Sequence, residues 1–435
     1  MSDLSLTSSP TAAHAAARAL LVPRTAQRGL ILLLSVAYGG GFLFLTTISP
    51  LLLYGFYLAL IALIALRIES LDQLARDVRP LLPYLAWMTA FWCWGMLVSP
   101  FPNVVFGEVI RIVFRNVLFL LAVAVAVSDL RSERLFALLV QAAIFINYYL
   151  AQRQLNDPQF ALDFARRLGE ETYVANNVRP AGLWINPDEA AFALSFGLLF
   201  IARSRGVVVW LARAAAIHGI YLSASRSGSY ILVLFLAAYL LFSLSQKLLS
   251  FRRMALLMPA LALIYAIWLG LYLTNNLPTY DVSQDFALSR ILDHKESNAD
   301  FTRGDLTGAV YGLVLHAPWY GYGAMGLQDA QTSQLYFQSK LPGLGAHNIF
   351  LAVWGETGVL GLAGYLLVLG LGMLQVLRTP MSPQRRMIAG LMWAGYVIRG
   401  LTWHSQMLSG VGIVIIGMMF CYPRLAAAEH AESRR

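Results

Sequence analysis

The sequence predicts an all-α membrane protein that crosses the bilayer about twelve times. Of its 435 residues, 58% are hydrophobic and only 13% are charged, whereas water-soluble domains carry roughly 25% charged residues for their surface. The apolar excess therefore has to face lipid. Apolar segments of about 20 residues, the length that spans the hydrocarbon core, recur along the whole chain.

The predicted spans are separated by polar connections. They cover residues 30–48, 50–66, 81–98, 108–127, 134–151, 187–202, 206–224, 228–246, 254–274, 346–377, 384–402 and 408–423. We therefore divide the chain into an N-terminal tail (1–29), a first membrane region (30–274) with an outer segment near 152–186, a large outer loop (275–345), a second membrane region (346–423) and a C-terminal tail (424–435). The large loop lies between the predicted ninth and tenth spans.

The positions of lysine and arginine predict that both termini are cytoplasmic, because short cytoplasmic loops hold an excess of these residues. Residues 1–29 are followed by an apolar run that is not closed by an A-x-A type cleavage site. This favours a short cytoplasmic tail over a signal peptide. With that end inside, the same side gathers Arg67, Arg76, Arg79, Arg131, Arg134, Arg203, Arg205, Lys247, Arg252, Arg253, Arg378, Arg385, Arg386, Arg424, Arg434 and Arg435.

Net charge and cysteine content exclude other classes of protein. The formal charge is +9, but the basic residues form short clusters between apolar segments, which disfavours binding to nucleic acid. Cys93 and Cys421 both lie in apolar stretches, so they supply neither a disulfide framework nor a thiolate metal site. The predicted outer loops hold no His/Asp/Glu cluster at metal-ligand spacing, and we expect no metal and no cofactor.

Two outer segments are long enough to hold short helices. Asp157 begins an apolar stripe that ends at Gly169, which predicts a helix lying on the membrane surface. A second stripe at helical spacing begins at Leu306 and is ended by Pro318.

Four arginines on the predicted outer side depart from the usual charge pattern: Arg179, Arg226, Arg290 and Arg303. Their retention there indicates that the outer face needs fixed positive charge. Arg226 lies at a turn between two apolar spans, in the tetrapeptide 225–228. A guanidinium fork suits phosphate or pyrophosphate, so we predict phosphate contacts. The alternative for each is a snorkelling arginine that meets lipid headgroups.

His347 is the predicted general base. It lies in Ala346-His347-Asn348, at the start of the predicted tenth span, where the positive potential of a helix N-terminus keeps imidazole neutral. A neutral ring can accept a proton. The alternative is a capping or interfacial histidine without a catalytic part. Arg399 and His404, at the outer end of the eleventh span, are candidates for the same site.

Several carboxylates are also candidate bases. Glu356 lies within the predicted tenth span, where an ionised group needs a partner, and Arg399 or Arg226 would supply one. The full set is Asp188, Glu189, Asp300, Asp305 and Glu356.

Four sequence elements together resemble one known family. Residues 179–188 (RPAGLWINPD) are similar to an R-x-x-G stretch leading into N-P-N, with Asp188 in place of the usual asparagine. Residues 225–228 (SRSG) resemble an S-R-[SG]-[GA] turn. Arg303 with residues 318–323 (PWYGYG) resembles an arginine ahead of P-x-x-G-x-G. His347-Asn348 with residues 356–361 (ETGVLG) resembles H-N followed by E-x-G-x-x-G.

These elements, in this order, resemble the O-antigen ligase (WaaL) family, within the group that also holds O-antigen polymerases and protein O-oligosaccharyltransferases. The resemblance implies a GT-C-like, multi-pass enzyme of the bacterial inner membrane that acts in lipopolysaccharide biosynthesis. Its active site would face the periplasm. It would transfer O-polysaccharide from undecaprenyl pyrophosphate to lipid A-core oligosaccharide, as a metal-independent, inverting glycosyltransferase.

The resemblance also implies residue roles. His347 would take the proton from the acceptor hydroxyl, and Arg226 and Arg303 would hold the pyrophosphate and stabilise its growing charge. Asp188 departs from the family pattern, which leaves the role of that position open. The predicted substrate-binding residues are Arg179, Asn348, Arg290, Arg399 and His404.

Two further hypotheses stay open at this point. An O-antigen polymerase or a protein O-oligosaccharyltransferase would use the same donor with another acceptor. A lipid-linked glycan transporter would need polar groups at mid-depth in several helices, and Arg213 and His218 are among the few mid-span candidates. Most of the polar candidates lie at one face, which favours an enzyme.

Overall fold

A computed structural model gives the architecture of the greater part of the chain. It describes residues 50–68, 70–99, 102–127, 130–157, 159–163, 179–184, 186–247, 310–324, 326–327, 348–402 and 409–432. All regular secondary structure within these residues is helical, as the composition predicts. The predicted spans 30–48 and 254–274 and most of the large loop lie outside the described residues.

Eleven α-helices coincide with or flank the ten predicted spans that fall in the described part of the chain. A short 3-10 turn, Arg79–Leu81, joins the second of these helices to the third. The helices are α1 (Pro50–Arg67), α2 (Leu71–Val78), α3 (Leu82–Val98), α4 (Pro102–Ala126), α5 (Leu130–Asn156), α6 (Pro187–Phe200), α7 (Val207–Leu222), α8 (Arg226–Lys247), α9 (Ile349–Arg378), α10 (Pro383–Gly400) and α11 (Gly410–Glu432).

Four helical stretches of the described residues are long and apolar enough to cross a membrane: Leu71–Val98, Glu133–Asn156, Ile349–Arg378 and Gly410–His430. Shorter apolar helices cover Tyr54–Ala65, Val207–Leu222 and Arg226–Phe242. The protein is therefore a multi-pass membrane protein, while a total of twelve spans stays a prediction.

Local sequence explains where several helices begin. Asn186 caps α6 by accepting a hydrogen bond from the Asp188 backbone N–H at 2.8 Å, and Pro187 follows at the first helical position. Ser382 and Pro383 play the same parts at the start of α10. An oxygen-bearing cap followed by proline suits a helix start, because the cap satisfies an exposed N–H and proline lacks one.

Helices α6 and α11 form the centre of the bundle. α6 packs against α5, α7, α8, α10 and α11, and α11 packs against α4, α5, α9 and α10. Their side chains are largely buried, including Phe192, Phe196 and Ile416. Large apolar side chains on the outer helices, such as Val207 and Leu360, are exposed, as expected for surfaces that contact lipid.

Helix ends gather at two opposite faces of the bundle. We call one the Arg226 face, which contains Arg179, Asp188, Arg226, Asn348 and Arg399. The other is the Arg385 face, which contains Asp77, Glu133, Arg203, Arg385, Arg424 and Glu429.

Ion pairs join the helix ends at the Arg385 face. Arg385 of α10 donates from both terminal nitrogens to Glu133 of α5, at 2.9 and 2.7 Å, and its Nε pairs with Glu429 of α11. Its side chain is 0% exposed. Arg203, after α6, pairs with Glu429 and lies 3.8 Å from Glu133. Arg203 and Arg385, which the sequence marks as signals of orientation, therefore also connect the helices.

The last helix extends beyond its predicted end at residue 423 and includes residues 424–432 of the predicted tail. Pro423 lies inside α11. Arg424 pairs with Asp77 at 2.9 Å and donates to the Val127 carbonyl at 2.8 Å. These contacts, together with those of Glu429, stabilise the helix past a proline that would otherwise favour its termination.

The two predicted outer helices are described only in part. The Asp157 carboxylate accepts a hydrogen bond from the Phe160 backbone N–H at 3.0 Å, and residues 159–163 are helical. The rest of that stripe lies outside the described residues. Residues 310–315 are helical and the helix ends before Pro318, as predicted.

Candidate functional site

Arg226 is the first residue of α8 and is separated from the end of α7 by three residues. The intervening turn is tight: the Ser225 hydroxyl accepts a hydrogen bond from the Gly228 N–H at 3.2 Å, and Ala224 has a left-handed φ of 48°. The Arg226 side chain is half-buried. A helix N-terminus carries partial positive charge and exposed N–H groups, so its position adds to the positive potential of the guanidinium.

The turn is packed directly on the start of α6. A β-carbon on Gly228 would overlap the β-carbon of Ala191. Only glycine allows the first turns of α6 and α8 to approach this closely. This contact explains the small residue at the end of the tetrapeptide 225–228.

Arg179 lies behind the turn and is buried, with 3% of its side chain exposed. Its Nε donates to the Ser223 carbonyl at 2.9 Å, and one terminal nitrogen donates to the Ala224 carbonyl at 3.2 Å and to the Asp188 carboxylate at 2.9 Å. The two carbonyls follow the C-terminus of α7, where partial negative charge favours a cation. Arg179 thus joins the ends of α6 and α7 to the turn before α8.

The segment that carries Arg179 is held by two polar side chains of α5. Gln154 accepts hydrogen bonds from the N–H groups of Ala181 and Gly182, at 3.0 and 2.8 Å, and Asn147 accepts one from Leu183 at 2.8 Å. Gly182 has φ 62°, and a β-carbon there would overlap Asn147. The glycine of the R-x-x-G stretch is therefore required by backbone shape and by close contact.

Arg399 approaches the same turn from α10. It is buried, donates a hydrogen bond to the Ser227 hydroxyl, and lies over the ring of Phe192 at 5.7 Å. The arginine predicted at the outer end of the eleventh span therefore does reach the Arg226 turn.

Glu189 is a carboxylate beside Arg399. It lies near Ser409, the residue before α11, and in the electrostatic field of Arg399 and Arg115. Glu356, for which we predict a pairing with Arg399 or Arg226, is buried in α9, and that pairing stays a prediction.

Helix α9 is broken at Gly358, which has φ 72° and ψ −171°. The segment 318–324, which we call the strap, fills the break. Tyr322 N–H donates to the Gly355 carbonyl at 2.7 Å, and Gly323 N–H donates to the Glu356 carbonyl at 2.9 Å. A β-carbon on Gly358 would overlap the carbonyl of Trp319.

The strap also contacts α3. Ala324 N–H donates to the Gly95 carbonyl at 2.8 Å, and the Trp94 indole donates to the Tyr320 carbonyl at 3.0 Å. Gly321 and Gly323 have φ of 84° and 90°. The P-x-x-G-x-G and E-x-G-x-x-G elements, which sequence analysis treats separately, therefore form one interlocked unit.

The structure describes four of the eight predicted site residues. Arg226, Arg179 and Arg399 converge on one turn, whereas Asn348 caps α9 by accepting hydrogen bonds from Phe350 and Leu351 at 2.9 and 3.1 Å. The other predicted site residues, which lie outside the described part of the chain, are His347, Arg303, Arg290 and His404.

Sequence analysis missed three parts of the site. These are the side chains of Asn147 and Gln154 that hold the Arg179 segment, the Ser227 hydroxyl that accepts a hydrogen bond from Arg399, and the Glu189–Ser409 contact. One signal was available. Asn147 and Gln154 are polar residues seven positions apart within or beside a predicted span, so they share a helix face, and polar groups at that depth need partners. Among the residues that the structure describes, no group of three or more His, Cys, Asp or Glu is placed to hold a metal ion.

Comparison with known families gives a match to the central part of the chain. Residues 190–366 match the family model described as O-Antigen ligase. This part of the chain, about two fifths of its length, is therefore similar to the O-antigen ligase family. The matched region contains Arg226, the strap and the break in α9, which form most of the geometry above. A comparison with curated proteins found no significant match.

Similarity to the O-antigen ligase family supports a membrane enzyme of the glycosyl-transfer kind that acts on lipid-linked polysaccharide. Arg179 and Arg399 lie outside the matched residues, yet both contact the matched turn. The candidate site is therefore completed by elements on either side of the family domain.

Proposed function

We propose that this protein is an O-antigen ligase, which transfers O-polysaccharide from undecaprenyl pyrophosphate to lipid A-core oligosaccharide at the periplasmic face of the bacterial inner membrane. One observation carries the proposal. Within the matched family region, a half-buried arginine begins a helix at a turn to which two buried arginines are bonded. Such a site suits a lipid pyrophosphate.

The pyrophosphate is both the group by which the enzyme would bind the donor and the leaving group of the reaction. As the bond between the anomeric carbon and the phosphate oxygen breaks, negative charge grows on that oxygen. Arg226 and the positive potential at the start of α8 would stabilise this charge. A preorganised donor of this kind contributes about 10²- to 10³-fold to kcat.

The acceptor needs a general base. On this proposal, an acceptor hydroxyl attacks the anomeric carbon on the face opposite the pyrophosphate, its proton passes to His347, and the configuration inverts. Arg303 would share the pyrophosphate with Arg226, and Arg290, Arg399, Asn348 and His404 would line the substrate site. Asn348 caps α9 directly after His347 in the chain.

The Arg385 face supports an enzyme over a transporter. A transporter exposes its substrate site alternately to both sides, by rocking or gating of helices. Here the helix ends at the face opposite Arg226 are joined by the ion pairs of Arg385, Glu133, Glu429 and Arg203. An enzyme that works from one face does not need that end to open.

One reconstitution tests the proposal. Purified protein in liposomes is given a lipid-pyrophosphate glycan and, in separate reactions, lipid A-core, a free-ended lipid-linked glycan or a protein acceptor. We expect transfer to lipid A-core. Transfer only to the lipid-linked glycan would indicate an O-antigen polymerase, transfer only to protein would indicate an O-oligosaccharyltransferase, and movement of intact donor across the bilayer without transfer would indicate a transporter.

A further inference from the structure

The sequence predicts that Arg179 binds substrate, but its contacts in the structure indicate a different role. We propose that Arg179 and Asp188 are positioning residues that orient Arg226, rather than ligands of the pyrophosphate. This inference rests on the proposed function of Arg226. It also assigns a role to Asp188, the position at which the chain departs from the family pattern.

The first step concerns access to Arg179. Its side chain is 3% exposed, and its Nε and one terminal nitrogen already donate to the Ser223 and Ala224 carbonyls and to the Asp188 carboxylate. A phosphate could gain those donors only by displacing buried protein oxygens. The carboxylate also offsets the arginine charge, so Arg179 adds little to the field that a pyrophosphate meets.

The second step concerns what Arg179 holds in place. Ala224, two residues before Arg226, has φ 48°, a conformation that residues other than glycine rarely adopt. Its carbonyl accepts a hydrogen bond from Arg179. The Arg179 hydrogen bond therefore helps to keep the backbone in this shape immediately before Arg226, and Asp188 holds Arg179 from the start of α6.

The third step explains the choice of residue at position 188. An asparagine would still offer an oxygen to Arg179 at the same place, although without charge. An alanine would leave a buried guanidinium without its carboxylate. Loss of transfer activity should therefore be smaller for Asp188→Asn than for Asp188→Ala.

A double-mutant cycle tests the inference. Arg179→Lys, Arg226→Gln and the double variant are reconstituted in liposomes, and transfer is measured per folded protein with the KM of donor and acceptor determined separately. Arg179→Lys keeps a charge but loses the fork, so we expect kcat/KM for the donor to fall by about 100-fold, the effect of a small misplacement, with the acceptor KM unchanged. In the Arg226→Gln background the same change should cost less than about 3-fold.

Arg213 provides the matched control. Its guanidinium donates to the carbonyls of Ile201, Ala202 and Ser204, the same kind of contact at the opposite end of α6. Arg213→Lys should change activity by the same factor whether or not Arg226 is present. Lack of coupling there would show that the coupling of Arg179 is specific.

Each outcome decides one claim. Equal factors for Arg179→Lys in both backgrounds would overturn the inference, whereas wild-type kinetics of Arg226→Gln alone would overturn the role of Arg226 in the proposed function. If Arg179→Lys does not fold, the same cycle is run with Asp188→Asn and Asp188→Ala. Independence of both from Arg226→Gln would equally overturn the inference.

Discussion

At the Arg385 face, the buried Arg385 is held by two carboxylates from other helices, whereas at the Arg226 face the buried Arg179 and Arg399 bond to the turn and first residues of α8. Arg385 contacts two glutamates, but Arg179 donates to two backbone carbonyls besides Asp188, and Arg399 donates to a serine hydroxyl. The first arrangement joins helix ends to one another, and the second fixes the turn that carries Arg226.

The largest expected effect concerns the predicted base. If His347 accepts the acceptor proton, His347→Ala should lower kcat by up to about 10⁴-fold while the protein still inserts in the membrane. His430, in the last turn of α11 on the opposite side, is the matched control, and His430→Ala should retain activity. Transfer at the normal rate by His347→Ala, measured with purified protein in liposomes, would remove His347 from the mechanism.

The next effect is on stability at the Arg385 face. Arg385→Gln leaves Glu133 and Glu429 without their buried partner, and the free energy of unfolding should fall by about 3–5 kcal/mol. Arg386→Gln changes the exposed neighbour and should shift stability by less than about 0.5 kcal/mol. Thermal unfolding in detergent measures both, and transfer per folded protein should stay near the wild-type value. Equal stability of the two variants would contradict a structural role for the network.

At the Arg226 face we expect the reverse, a loss of transfer activity with little loss of stability. Arg226→Lys keeps the charge but loses the planar fork, so transfer should fall by about 10²- to 10³-fold, with little change in the unfolding temperature. Arg303→Lys should behave in the same way. Wild-type activity in both variants would indicate contacts with lipid headgroups instead.

A smaller effect is expected at the strap. Gly358→Ala places a β-carbon against the Trp319 carbonyl at a position with φ 72°, and should destabilise the protein by about 3 kcal/mol. Gly370 lies in the same helix with nothing within 4 Å of an added β-carbon. Gly370→Ala should therefore be neutral or stabilise by up to about 1 kcal/mol. If unfolding curves of the two variants coincide, the strap is not fixed to α9 in solution.

The smallest effect tests whether arginines alone provide the positive charge. Because we expect no metal, a chelator such as EDTA should leave the transfer rate unchanged. A loss of activity that added divalent ion restores would show that a metal shares the pyrophosphate with the arginines.

Much of the fold follows from local sequence, because helix formation depends on residues close together in the chain. Apolar length predicts the ten described helices that coincide with spans, and Asn186-Pro187 marks the start of α6. The end of α11 was not predictable in this way. Pro423 favours termination locally, but Arg424 pairs with Asp77, 347 positions earlier.

For the candidate site, the sequence by itself indicated the resemblance to O-antigen ligases, the arginines that depart from the usual charge pattern and the turn at Arg226. Only the tertiary structure decided which arginines are buried and what they contact. Arg399 meets Ser227 across 172 positions, and Arg385 meets Glu133 across 252. The local sequence does not distinguish an arginine that binds substrate from one that holds a turn in place. Burial and partner differ, and both arise from contacts between residues far apart in the chain.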